Sequence, residues 1–189
     1  MPRVRNKPIP GQAWLLTAVV VGACAGDKTV PLASGGEPQE MAGMLAAHNH
    51  WRAQVGVAPL NWSPAAAEQA QDWADQLAQV DGCELSHNPD PDRQQRFGEN
   101  IYRAGDIFSY KAYQATPEQV VAHWADERQW YDPQTGSCSA PDGETCGHYT
   151  QLVWSHSFSV GCGRARCQKL EVWVCNYAPG GNWDDRKAY

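Results

Sequence analysis

Six histidines and 21 carboxylates supply most of the acid–base and metal-binding chemistry open to this chain of 189 residues. Two histidines stand apart. His87 follows Cys83-Glu84-Leu85-Ser86, and His148 follows Cys146-Gly147, so each imidazole lies within four residues of a cysteine. Bridged cysteines would hold both rings rigidly. Two rigid imidazoles facing one cavity can bind a divalent metal such as zinc through neutral nitrogens. Carboxylates would then be needed to orient the rings or complete the shell, and spacing alone does not choose them among the 21. His48 falls on the apolar face of a helix and reads as a hydrogen-bonded core histidine. His50 and His123 read as solvated or structural, and His156 sits in a loop, Ser155-His156-Ser157. The chain has no Gly-x-Ser-x-Gly elbow, no His-Glu-x-x-His helix and no phosphate loop.

The seven cysteines divide into one and six. Arg3, Arg5 and Lys7 precede an apolar run from Ala13 to Val21, and Gly22-Ala23-Cys24 follow. This is the pattern of a secretory leader, and the run is shorter than the roughly 20 residues that span a bilayer. Val21-Gly22-Ala23-Cys24 also resembles a bacterial lipobox, in which Cys24 becomes the lipidated first residue and tethers the protein to a membrane surface. Ala25, where Asp would resemble an inner-membrane retention signal, points to an outer-membrane lipoprotein; plain secretion is the alternative. In an exported chain the other six cysteines imply three disulfides, with the pairing left open. No Cys-x2-Cys pair favours a structural zinc.

Removing residues 1–23 leaves 166 residues with 12 basic groups against 21 acidic ones, a formal charge of −9. That balance argues against nucleic acid or an anionic membrane surface as a partner. Residues 24–39 hold the lipobox cysteine and then Gly26, Pro31, Ser34, Gly35, Gly36 and Pro38, which reads as a flexible tether. Residues 40–189 suit one domain with its own core.

The elements that must position these groups show in the apolar spacing. Met41, Met44, Leu45, His48, Trp51 and Val55 mark a helix that Gly56 can end. Ser63 and Pro64 open a second helix, with a stripe at Ala66, Ala70, Trp73, Ala74 and Leu77. Thr116 and Gln119 form a capping-box pattern before a third helix, whose stripe is Val120, Val121, Trp124 and Tyr131. Short strands are expected at Asn100-Ile101-Tyr102, at 159–165 and at 171–177. Helices flanking a small, mostly antiparallel sheet make the fold α+β.

Longer motifs are more specific. Gly147-His148-Tyr149-Thr150-Gln151-Leu152-Val153-Trp154, with Ser157 beyond, and Val174-Cys175-Asn176-Tyr177-Ala178-Pro179-Gly180-Gly181-Asn182-Trp183 resemble the two signatures of the CAP superfamily (cysteine-rich secretory proteins, antigen 5 and plant pathogenesis-related class-one proteins). His48-Asn49-His50-Trp51-Arg52, Gly98-Glu99-Asn100-Ile101 and Trp124-Ala125-Asp126-Glu127 resemble three further family elements, in order. The resemblance implies a three-layer α-β-α sandwich and the pairs Cys83–Cys167, Cys138–Cys146 and Cys162–Cys175. It also implies a cleft built from His87, Glu99, Glu127 and His148, in which the histidines can hold a divalent metal. Trp173 is bulkier than the family's usual residue there, and Ala188 stands where the plant proteins, which release this tail as a signalling peptide, carry proline.

Three functions follow as expectations. The first is a non-enzymatic extracellular or envelope protein that binds a sterol, fatty acid or other small apolar ligand. Trp51, Trp73 and Trp124 are candidate groove linings, although filling the core is the preferred reading of all three. The second is a zinc-dependent peptidase or esterase, with Glu99 or Glu127 as general base. The third is a structural module of the envelope.

Overall fold

The computed structural model describes residues 36–80, 82–94, 96–105, 114–183 and 186–189. The leader, Cys24 and most of the tether expected from the sequence lie outside these residues.

Helix α1 (Met44–Gln54) buries Met44, His48 and Arg52, one residue per turn on a single face. Its first turn has no side-chain cap of its own. The buried Glu37 carboxylate supplies one, accepting from the backbone N–H groups of Gly43 and Leu45. Strand β1 (Asn61–Trp62) is only two residues long. Helix α2 (Pro64–Gln79) begins as expected, with the Ser63 hydroxyl accepting from Ala66 N–H at 3.2 Å, and buries the whole expected stripe. A single turn, α3 (Pro91–Gln94), precedes strand β2 (Gly98–Ala104). Helix α4 (Pro117–Asp126) opens on a complete capping box: Gln119 N–H donates to Thr116 Oγ1 at 3.3 Å and Thr116 N–H to Gln119 Oε1 at 2.9 Å. The chain tightens into a 3-10 turn at Glu127–Trp130, so Tyr131 follows the helix instead of extending its stripe, as the spacing suggests. Helix α5 (Gly147–Leu152) is another element that the sequence reading lacks. Strands β3 (Ser159–Cys167) and β4 (Leu170–Ala178) complete the sheet.

The sheet order is β1-β3-β4-β2, antiparallel except for β1, which runs parallel to β3. β2 is longer than the three residues expected because β4 pairs with it continuously, from Gly98 opposite Tyr177 to Ala104 opposite Glu171. β4 is buried almost end to end because both of its faces are covered. Val172 and Val174 pack with Ala70, Trp73 and Leu77 of α2 on one side. Trp173, Cys175 and Tyr177 face the layer that includes α1, α4 and α5. This is an α-β-α sandwich. Two glycines let α2 approach: a Cβ on Gly161 would sit 2.2 Å from Ala67 N, and one on Gly163 2.5 Å from Gln71 Cα.

Among the described residues, β1 pairs with β3 only at Ser159 and Val160, which leaves the rest of that edge without a neighbouring strand. Gln71 caps part of it, accepting from Arg164 N–H at 3.1 Å and donating to Arg164 C=O at 2.9 Å. A side-chain amide thus does the work of a neighbouring strand at one residue. Disulfides join Cys83 to Cys167, Cys138 to Cys146 and Cys162 to Cys175, the pairs that the family resemblance implies.

Candidate functional site

Two glutamates each hold one histidine in the same manner. Glu99 lies on β2, where its carboxylate is nearly buried (side chain 2% exposed) beside a His87 ring that is 60% exposed. Its Oε1 accepts from His87 Nδ1 at 2.7 Å and from Asn88 N–H at 3.1 Å. Glu127 opens the 3-10 turn after α4. Its Oε1 accepts from His148 Nδ1 at 2.5 Å, while Oε2 accepts from the backbone N–H groups of His148 (2.9 Å) and Tyr149 (3.1 Å). The carboxylate therefore orients the ring and also satisfies the first turn of α5. A carboxylate can only accept, so both rings carry hydrogen on Nδ1 and leave Nε2 for a ligand.

The buried layer beneath fixes α5. Trp124 stacks on the His148 ring, with centroids 6.4 Å apart and planes within 14°. Its own indole N–H donates to Ile101 C=O at 3.1 Å. Asn100, next to Glu99 on β2, donates to His148 C=O at 3.0 Å and to the Tyr177 hydroxyl at 3.2 Å. Tyr177 in turn meets His48 Nε2 at 2.8 Å, and His48 Nδ1 lies 2.7 Å from Met44 C=O. Since the carbonyl can only accept, His48 donates through Nδ1 and accepts the Tyr177 proton at Nε2. Burial pushes the His48 imidazole down to about 4 and holds it neutral, against the opposing effect of its bond to Met44. Burial also pushes the Tyr177 phenol well above its ordinary range. His48 is the satisfied core histidine its helical position suggests.

The structure thus forms the two His–Glu pairs and links β2 to α5 through Asn100. Among the described residues it gathers no group of three or more His, Cys, Asp or Glu side chains able to hold a metal ion. Each ring has its far nitrogen on a carboxylate, the arrangement that orients a metal-ligating histidine, so His87 and His148 are the residues that would hold a divalent cation. Zinc there would act as a Lewis acid held by His87 and His148. The other candidates lie elsewhere. His50, His123 and His156 are exposed, and His156 Nδ1 meets Ser155 Oγ at 3.1 Å. Trp73 and Trp124 are core residues, and their indole N–H groups donate to Ser86 C=O and Ile101 C=O. Trp51 is half-buried under the Arg128 guanidinium, 4.7 Å from its ring. Asn100 and Tyr177, to which the sequence reading assigns no role, join the two halves of the site. Their signal was their place inside the motifs, which does not reveal that they touch.

Comparison with known proteins agrees with this architecture. The model of the cysteine-rich secretory protein family matches residues 45–177. The pathogenesis-related protein PRMS of Zea mays is 38% identical over 178 residues, 93% of each chain. Pathogenesis-related protein 1A of Nicotiana tabacum is 40% identical over 146 residues, 77% of this chain and 78% of its own. Among solved structures, venom allergen-like protein 4 of Schistosoma mansoni superposes with a TM-score of 0.62 at 23% identity, over 80% of this chain and 94% of that one. A structure of NaASP2 with Zn2+ gives 0.61 at 22% identity, over 84% and 90%. These two likenesses show the fold. With the family model matching most of the chain, and relatives near 40% identity over most of its length, the protein belongs to the cysteine-rich secretory protein (CAP) family.

Proposed function

We propose that this chain is an extracellular, non-enzymatic binding protein whose cleft takes a divalent cation through His87 and His148. The observation that carries the reading is the paired geometry: each Nδ1 is committed to a glutamate, so each ring is fixed in the tautomer that offers Nε2. The three disulfides suit an oxidising, extracellular setting, as does membership of a secretory family. That a structure of the relative NaASP2 was obtained with Zn2+ adds support for the metal. A zinc-hydrolase reading draws less support. Catalytic zinc ordinarily takes three protein ligands, and both glutamates are already spent on orienting rings.

Isothermal titration of the full chain with zinc at neutral pH tests this. Wild type is expected to bind about one zinc per chain, and His87→Ala/His148→Ala to bind none while keeping its circular dichroism. Glu99→Gln and Glu127→Gln should each weaken binding about 10–100-fold by freeing a ring. Equal zinc affinity in the double histidine variant would overturn the assignment. Zinc-dependent cleavage of a peptide or ester, lost in Glu99→Gln, would favour the hydrolase instead.

A further inference from the structure

The largest cavity whose lining is described lies away from the His–Glu pairs. It runs along the open edge of β3, between the 3-10 turn at Gln39–Met41 and the first half of α2, and has a volume of about 900 Å³. That lies at the upper end of the range for small-ligand sites. Its apolar wall comes from Met41, Trp62, Pro64 and Ala67, with the Cys162–Cys175 bridge at the back. β1 ends at Trp62, so among the described residues no strand of the sheet occupies this space beside β3.

The charge around the cavity is one-sided. Glu40, Glu68 and Asp72 line it, all three are exposed, and among the described residues no ion pair engages them. Glu68 and Asp72 stand four residues apart on one face of α2, where like charges repel when nothing lies between them. Arg164 is the cation in the lining; its guanidinium lies 3.5 Å from Glu171 Oε1, an oxygen it shares with Arg166, and 5.0 Å from the Trp173 ring centre, so three carboxylates face one partly matched cation. Gln71 is committed to the β3 backbone. The groove thus offers hydrocarbon contact inside and unmatched negative charge at its margin.

We propose that this groove binds an amphiphilic amine, with the hydrocarbon chain against Met41, Trp62 and Ala67 and the ammonium among Glu40, Glu68 and Asp72. In this groove the charge favours an amine over a fatty acid, because a carboxylate would enter beside three others. The inference rests on reading the chain as a binding protein, but it does not depend on the histidines.

Three probes with the same twelve-carbon chain test it: dodecylamine, dodecanol and dodecanoate, each titrated calorimetrically below its micelle concentration into the full chain. Dodecylamine is expected to bind at least tenfold more tightly than dodecanol, and dodecanoate most weakly. Glu68→Gln/Asp72→Asn should cut the preference for the amine over the alcohol to under threefold and leave dodecanol unchanged. Glu84→Gln/Glu144→Gln, which removes the same charge from exposed positions outside the groove, should keep the preference. Ala67→Phe, which narrows the groove, should weaken amine and alcohol alike. Equal affinity for the three probes, or a preference that survives in the Glu68/Asp72 variant, would overturn the inference while leaving a binding protein for apolar ligands. If none of the probes binds, the groove is not a ligand site, and the cation reading stands or falls on its own titration.

Discussion

Arg52 enters the core with its charge and without a carboxylate. Its Nε donates to Ala58 C=O at 2.8 Å, Nη1 to Leu152 C=O (3.1 Å) and Trp154 C=O (3.0 Å), and Nη2 to Ser157 C=O (3.0 Å). One planar fork therefore ties α1 to the end of α5 and to the loop before β3. Burial lowers the guanidinium to about 10, so it remains charged at neutral pH. Arg52→Ala would remove a donor from four carbonyls, of which Trp154 C=O keeps Ser157 N–H at 3.0 Å, and we expect a loss of about 3 kcal/mol in urea unfolding. Arg52→Lys should recover less than half, because an ammonium cannot reproduce the fork. His48 adds a pH dependence. Its folded value near 4 lies below the unfolded 6.5, so between those limits the unfolded chain binds more protons. Stability should be full above about pH 6.5, fall as the pH drops towards 4 by on the order of 3 kcal/mol, and level off below. His48→Gln, which can still accept from Tyr177, should flatten that part of the profile in denaturant titrations across pH. An unchanged slope would mean that other groups carry it.

At the scale of the element, the three disulfides differ in what they hold. Cys83–Cys167 ties the turn after α2 to the end of β3 across 84 residues, whereas Cys138–Cys146 closes a loop of 8. On the chain-entropy account, replacing both cysteines of the long bridge with serine should cost about 4–5 kcal/mol, against about 2–3 for the short one. Thermal unfolding of the two variants would check the order. The short bridge has the more local task, since Cys146 immediately precedes α5 and its carbonyl accepts from Thr150 N–H at 2.9 Å. At the start of α4, Thr116→Ala removes one arm of the capping box and should cost about 1 kcal/mol.

For the molecule as a whole, the final residues are part of the core. Ala188 is buried, its N–H donating to the Tyr131 hydroxyl at 3.0 Å and its C=O accepting from Ser155 N–H at 2.7 Å. Tyr189 packs against Tyr131 and reaches the Tyr149 hydroxyl at 3.1 Å. Further back, Asn182 donates to Gly147 C=O at 2.9 Å and accepts from Thr150 Oγ1 at 2.7 Å, and Gly181 N–H donates to Gln151 at 2.8 Å. The tail thus straps α5, the helix that carries His148. Removing Ala188 and Tyr189 should lower the melting temperature and shift the His148 imidazole signals in NMR spectra, with the His87 signals much less affected. Equal shifts at both rings would show a general loosening instead.

Much of this was legible in the chain itself. Ser63-Pro64 and Thr116-Pro117 determined where α2 and α4 begin, because capping is a local exchange between a side chain and the next turn. Family likeness singled out His87, Glu99, Glu127 and His148, and the fold joins these four as two hydrogen-bonded His–Glu pairs. Tertiary structure decided what depends on distant partners. β2 took its length from β4, and α5, only six residues long, is held by Glu127, Asn100 and the tail. Which glutamate holds which histidine was likewise open, since Glu99 lies 12 residues from His87 and Glu127 21 from His148. The groove beside β3 was equally out of reach, because it exists only where β1 stops short and α2 crosses the uncovered edge. Local rules act within a turn or a strand; pairing, strapping and enclosure are set by parts of the chain that meet only once it has folded.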